Sequence, residues 1–188
     1  MATKAEVRRL MRQELAGLSA GERQRKSERV AQSVLGLPEV TRARVVMAFL
    51  SLPDEVDTQP LIDDLWEQGK AVAVPHTDLE GGNLLAVRLD QAAALRPAAL
   101  GVLEPQVQEP VPLAVVEVVI LPGQAFDREG HRLGRGKGFY DRFLQQKGCA
   151  ALRVAVAFSR QVLGELPHGP NDARLDVLVT EEEVLRFG

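Results

Sequence analysis

Val7, Leu10, Met11, Leu15 and Leu18 recur at three- and four-residue spacing, which predicts an amphipathic helix over residues 4–18. Ser19 followed by Glu22 is a capping-box signature and predicts a second helix, which Leu37-Pro38 ends. The pattern then changes period. Residues 45–50, Val-Val-Met-Ala-Phe-Leu, form a continuous apolar run suited to a strand buried on both faces. A polar loop leads to a helix over residues 60–68, closed by Gly69 as a left-handed cap. Residues 71–75 and 84–89 read as the second and third strands, and the Pro-rich stretch 98–112 as a surface connection. Residues 115–121 make the strongest strand in the chain. A Gly-rich loop (122–138) follows, then a helix over 138–146, a buried strand over 152–158, a short helix over 160–166 and a last strand over 175–180.

Strands alternating with helices predict an α/β fold, a mostly parallel sheet with helices on both faces. The 188 residues suit one domain better than two, with residues 1–37 as a helical pair packed on the α/β core. In such sheets ligands sit beyond the carboxyl ends of the strands. The loops at 51–57, 122–137 and 167–174 leave those ends, and chemistry is expected there.

Composition narrows the classes. Apolar residues at 45% and charged residues at 26% are ordinary for a globular chain, which argues against disorder. No apolar run spans a bilayer, and charges recur from Lys4 to Arg12 where a signal peptide needs an apolar stretch. The single cysteine, Cys149, leaves no intrachain disulfide and fits a reducing cytoplasm. Net charge is -3, yet residues 1–44 carry ten Lys/Arg against five Asp/Glu. A basic segment on an acidic protein attracts nucleic acid or a smaller polyanion such as ATP. One Trp, one Tyr and six Phe are few for a base-stacking surface.

The Gly-rich loop carries the strongest chemical signal. Arg132-Leu133-Gly134-Arg135-Gly136-Lys137-Gly138-Phe139-Tyr140-Asp141 enters a helix, and its alternate glycines let backbone N–H groups approach a ligand. Arg132, Arg135 and Lys137 at a helix start oppose the helix dipole unless an anion joins them, so the run suits a polyphosphate. A Walker A loop does not fit, because His131 stands five before Gly136 and Gly138 follows Lys137. The dinucleotide pattern G-x-G-x-x-G fails at Phe139. Lys4 and Arg8, four apart on one helix face, can hold a phosphate chain or a carboxylate, or be a solvated face. In Leu52-Pro53-Asp54-Glu55-Val56-Asp57-Thr58 the acids and threonine either cap the next helix or meet a donor-rich heterocycle. Asp141 in the first helical turn and Asp172 in the loop Gly169-Pro170-Asn171-Asp172 are candidate Mg²⁺ carboxylates, with Asp176 in reserve. His76, His131 and His168 show no metal spacing and read as loop or surface residues, and Trp66 as part of a helix's buried face.

The run over residues 121–144, with Pro122-Gly123-Gln124-Ala125-Phe126-Asp127 ahead of the Arg-Leu-Gly-x-Gly-x-Gly loop, resembles the signature of the 5-formyltetrahydrofolate cyclo-ligases, also called methenyltetrahydrofolate synthetases. The resemblance implies a Rossmann-like sheet similar to sugar-phosphate isomerase and CoA transferase folds. It implies ATP- and Mg²⁺-dependent conversion of 5-formyltetrahydrofolate to 5,10-methenyltetrahydrofolate with release of ADP and phosphate. By similarity, Lys4, Arg8, Arg132, Leu133, Gly134, Arg135, Gly136, Lys137, Gly138, Phe139 and Tyr140 meet ATP. Arg8, Leu52, Asp57, Arg135, Gly136, Lys137, Gly138 and Phe139 meet the folate. Arg135 and Lys137 are the catalytic pair, and Asp141 and Asp172 the metal ligands. Phe139 stands where the family often has Tyr, and Asp57 where Glu is also common. The partners implied are ATP and 5-formyltetrahydrofolate, with no nucleic acid and no membrane, and a monomer is the expected state. Two other classes remain open on the residues alone: a non-catalytic nucleotide or RNA-binding module, and a different reaction on the related α/β fold.

Overall fold

The computed structural model describes residues 2–98 and 101–188. Two helices open the chain, α1 (Lys4–Ala16) and α2 (Ala20–Leu35). Both begin with a capping box: Ser19 with Glu22, as the spacing predicts, and Thr3 with Glu6 one helix earlier. The second helix ends at the Gly36 cap, before the Leu37-Pro38 expected to end it, and Pro38 begins another helix. It occupies the first turn of a short α3 (Pro38–Arg42), where its missing N–H costs no helical hydrogen bond.

The centre is a seven-stranded sheet of β1 (Val45–Met47), β2 (Ala71–Asp78), β3 (Asn83–Arg88), β6 (Val118–Leu121), β9 (Leu152–Val156), β11 (Val177–Val179) and β12 (Val184–Arg186), in the order β12-β11-β9-β6-β1-β2-β3. The inner run from β11 to β2 is parallel, and the two edges β3 and β12 are antiparallel. Side chains alternate between faces, as a pleated strand requires. Val46, Val72, Val118, Val154 and Val177 pack on one face with residues of α2, α3 and α4 (Gln59–Glu67). Met47, Ala73, Val119, Ala155 and Leu178 pack on the other with Phe143 and Leu144 of α5 (Phe139–Leu144). Helices therefore cover both faces, but unevenly. Trp66 packs against the first face and donates its indole N–H to the Leu89 carbonyl at 3.2 Å. Gly69 closes α4 at φ 73°.

Four sequence expectations change. The strand in the run 45–50 ends at Met47 with one further bond from the Ala48 N–H to the Ala73 carbonyl, and Phe49 and Leu50 go on to line a cleft. The region 122–138 is a hairpin before it is a loop: β7 (Ala125–Asp127) pairs with β8 (Arg132–Leu133). The short helix over 160–166 is instead a 3-10 turn (Ser159–Gln161) and then β10 (Val162–Leu163), paired parallel to β7. Gln161 accounts for this, because its amide donates to the Gly123 and Gln124 carbonyls and accepts from the Phe158 N–H, tying the segment to the hairpin. Within the connection at 98–112, β5 (Leu103–Pro105) forms a ribbon with β4 (Leu95–Pro97). Ala99 and Leu100 of that connection lie outside the described residues. No helix among the described residues is long and apolar enough to cross a membrane.

Candidate active site

The small sheet β10-β7-β8 decides where α1 goes. Val7 and Met11 pack on Ala125, Leu133 and Leu166, which brings the charged edge of α1 over the loop leaving β8. There Arg8 Nε donates to the Gly134 carbonyl at 2.8 Å, and Lys4 Nζ donates to Asp172 Oδ2 at 2.5 Å. Two distant stretches of chain thus share one wall. Gly136 faces Arg8 in this wall, and its φ of +106° is one that L side chains rarely adopt. With only six residues, α5 carries little macrodipole, so the positive potential here belongs mainly to side chains.

The cations differ in their commitments. Arg135 reaches across the opening, its Nη2 donating to Asp54 Oδ1 at 2.7 Å and Glu55 Oε1 at 3.0 Å. Lys137 is exposed and enters no salt bridge among the described residues. Arg132, expected as one of three loop bases, is a buried strand residue with a side chain only 3% exposed. Its fork is spent on Asp141 Oδ1 at 2.9 Å and the Pro122 carbonyl at 3.2 Å, while its Nε is buried without a partner. It sits over the Tyr140 ring, 5.6 Å from the centroid.

These groups line a cleft of about 330 Å³ beyond the carboxyl ends of β1, β2 and β6. The cleft has two characters. Lys4, Arg8, Arg132, Arg135 and Lys137, with Asp141 and Asp172, form a charged end; Phe49, Leu52, Val74, Leu84, Val102 and Phe139 form an apolar one. The first comes from α1 and the loop after β8, the second chiefly from the β1–β2–β3 half of the sheet and from β5. The cations converge on a recess instead of spreading over an open face, which suits a small anion better than a long nucleic acid.

Leu52, Leu133, Gly134, Gly136, Gly138 and Tyr140 also line the cleft, so every candidate site residue but Asp57 and the reserve Asp176 is gathered there. Asp57 is exposed, and its Oδ1 accepts the Gln59 N–H at 3.0 Å, a capping contact at the start of α4. The turn closed by Glu55 N–H on the Leu52 carbonyl instead places Glu55 in the cleft. Sequence spacing could not choose between two acids two residues apart. Asp176 also lies outside the cleft lining, where its carboxylate accepts the Arg153 N–H at 2.7 Å. His76 is no loop residue: it stands in β2 with Nδ1 2.7 Å from Glu104 Oε2. His131 contacts Asp127 at 2.9 Å and stacks on His168, outside the cleft.

Burial raises the Glu55 carboxyl despite opposing contributions from the Leu52 N–H and Arg135. Burial would also raise Asp172, but the Lys4 and Gly169 hydrogen bonds and the charges of Lys4 and Arg132 outweigh it and hold that carboxyl below its ordinary value. Tyr140 is pushed up by burial and by the Glu55 charge, so it remains a neutral phenol. Asp141 takes both its contacts on Oδ1, from Arg132 and the Ala173 N–H, and Asp172 takes both on Oδ2, from Lys4 and Gly169. Each carboxylate therefore keeps one oxygen unengaged among the described residues. Two such oxygens at the cationic end of the cleft would suit a hard cation such as Mg²⁺, which takes oxygen ligands. No group of three or more His, Cys, Asp or Glu among the described residues is disposed to hold a metal by itself.

Comparison with known proteins finds relatives over nearly the whole chain. A model of the 5-formyltetrahydrofolate cyclo-ligase family matches residues 1–181. The 5-formyltetrahydrofolate cyclo-ligase of Escherichia coli K12 is 36% identical over 179 residues, covering 93% of this chain and 98% of that protein. The mouse protein of the same name is 30% identical over 187 residues, covering 94% and 92%. The solved 5,10-methenyltetrahydrofolate synthetase of Aquifex aeolicus superposes with a TM-score of 0.85 at 38% identity, covering 97% of this chain and 92% of that one. With its cleft assembled from the glycine-rich loop and the first helix, and with relatives matched over nearly its whole length, this chain belongs to the 5-formyltetrahydrofolate cyclo-ligase family.

Proposed function

We infer that this protein closes the ring of 5-formyltetrahydrofolate to 5,10-methenyltetrahydrofolate, consuming ATP and releasing ADP and phosphate. Family membership supports the reaction, and one structural observation carries its location: a cationic recess and an apolar wall share a single cleft. A triphosphate suits the first and a pterin with its aryl arm the second.

The formyl oxygen attacks the γ-phosphorus and ADP leaves. N10 then attacks the activated formyl carbon and loses its proton, and the C–O bond breaks to release phosphate. No covalent protein nucleophile is required, so the residues act by position and charge. Lys4 and Arg8 hold the phosphate chain from α1. Arg135 and Lys137 stabilise charge on the transferring phosphoryl group, and the backbone of residues 133–138 wraps it. Glu55, which lines the cleft with Leu52 and Phe139, accepts from the donor edge of the pterin, the role that the family resemblance implied for Asp57. Asp141 and Asp172 would hold Mg²⁺, which supplies charge neutralisation on the phosphates when bound. Arg132 orients Asp141.

We place the fold with the Rossmann-like sheets of sugar-phosphate isomerases and CoA transferases, supported by the parallel inner strands and a site at their carboxyl ends. Residues 1–188 form one unit with the helical pair 1–37 packed on it, working as a cytoplasmic monomer. The decisive experiment follows methenyltetrahydrofolate absorbance with 5-formyltetrahydrofolate, with and without ATP-Mg²⁺. Product only in the complete mixture is expected; ATP-independent product, or none, overturns the reading.

A further inference from the structure

The ribbon β4–β5 lines the apolar end of the cleft through Val102 and Leu103, yet it belongs to neither the large sheet nor the small one. Its grip on the body is slight. All three residues of β4 are exposed, and Leu103 is 46% exposed. Ladder hydrogen bonds join β5 to β4 alone. After β5 the chain joins the large sheet through its backbone, with Arg88 N–H on the Glu109 carbonyl and Val111 N–H on the Ala86 carbonyl, both at 2.8 Å. At β5 itself the buried Pro105 and one side chain make the tie.

Glu104, only 2% exposed, points back into β2. Its Oε1 accepts the Thr77 N–H at 2.9 Å, and its Oε2 lies 2.7 Å from His76 Nδ1. The Gln108 amide nitrogen lies 2.9 Å from the same ring nitrogen, and Nδ1 can hydrogen-bond only one of the two, Glu104 when it carries the ring proton. The clamp lies next to the cleft on both strands. Leu103 precedes Glu104, and Pro75 and Thr77 flank His76; all three line the cavity. A carboxylate with both oxygens engaged fixes distance and rotation together, which a single contact cannot.

We propose that Glu104, clamped by the Thr77 N–H and His76, is a positioning residue that sets the ribbon wall against which the aryl body of the formylfolate packs. This rests on the functional reading above and extends it to residues that never touch the phosphates. The lever is selective. Loosening the ribbon widens the apolar end and leaves the loop after β8, held by Arg8 and the small sheet, in place.

Steady-state kinetics on the full chain test this, with Glu104→Ala, Glu104→Gln and, as a control for general destabilisation, Val34→Ala in the core beneath α2. Glu104→Ala is expected to raise KM for 5-formyltetrahydrofolate tenfold or more, with KM for ATP and kcat at saturation within twofold. Glu104→Gln keeps an acceptor for the Thr77 N–H and is expected to recover most of that loss. Val34→Ala is expected to lower Tm and move neither KM. If Glu104→Ala does not fold, His76→Ala, which removes one of the two ties, takes its place and is expected to raise the folate KM in the same selective way. An unchanged folate KM, or equal losses in both KM values and kcat, overturns the inference while the functional reading stands. A wild-type chain that forms no methenyl product overturns the functional reading, and the inference with it.

Discussion

Lys137 and Arg135 stand in one loop but differ in what each holds. Lys137 is exposed and outside the salt bridges of the described residues, so Lys137→Ala is expected to leave Tm unchanged. Turnover should nonetheless fall on the order of 10²-fold, the usual cost of losing one donor to developing charge. Arg135→Ala should lower turnover comparably while leaving the half-buried Glu55 without its partner; kinetics with circular dichroism separate the two effects. Gly136 carries a backbone requirement that neither cation has. At φ +106°, Gly136→Ala should cost about 1–2 kcal/mol. For a chain of this size that is a Tm loss on the order of 2–8 °C in thermal unfolding. A variant as stable as the parent would show that the loop relaxes without strain. Glu55 marks the limit of reading residues from spacing. Asp57 and Glu55 are equivalent acids in the sequence, and only the turn onto the Leu52 carbonyl turns one inward and leaves the other to cap α4.

Among the elements, α1 shows how a local signal reaches the site. Its apolar stripe was legible at once, and Val7, Met11 and Leu15 are buried as that stripe predicts, although Leu10 is 46% exposed and the helix ends at Ala16, before Leu18. The stripe says that the helix packs, but not on what; the small sheet supplies the surface and so aims Lys4 and Arg8. Thr3 holds the first turn through its box with Glu6. Thr3→Ala should cost about 1 kcal/mol of helix stability and fray the turn that carries Lys4. KM for ATP should rise about fivefold with kcat at saturating ATP nearly intact; an unchanged ATP KM would argue that this turn does not meet nucleotide. The segment at 160–166 misled because its residues are weakly periodic. Its conformation comes from Gln161 bonding to carbonyls near residue 124, a contact invisible to local pattern.

At the scale of the molecule, the antiparallel edge β12 closes the sheet and is tied to α3 by Arg186 on both oxygens of Glu39, at 2.8 and 3.1 Å. The Arg186 hydrogen bonds, then the Glu39 N–H, lower the Glu39 carboxyl to about 2. A depressed carboxyl stabilises the fold above its unfolded value of 4.5 and loses that contribution as pH falls from there toward 2. Glu39→Gln should therefore flatten the acid limb of the stability curve in that window and change little at neutral pH beyond the loss of the pair. Denaturant unfolding at pH 3 and pH 7 checks this, and parallel losses at both would rule it out. Taken alone, the amino-acid order determined which segments bury both faces of a strand, where capped helices begin, and that a glycine-rich cationic loop follows the strongest strand. These are properties of near neighbours, set by periodicity, caps and backbone freedom. The tertiary structure decided that Arg132 is buried and Arg135 spans the cleft, that Glu55 rather than Asp57 faces inward, and that a stretch resembling a surface connection forms a cleft wall. Each depends on which distant segments come into contact, and side-chain hydrogen bonds between remote strands leave no period in the chain to read.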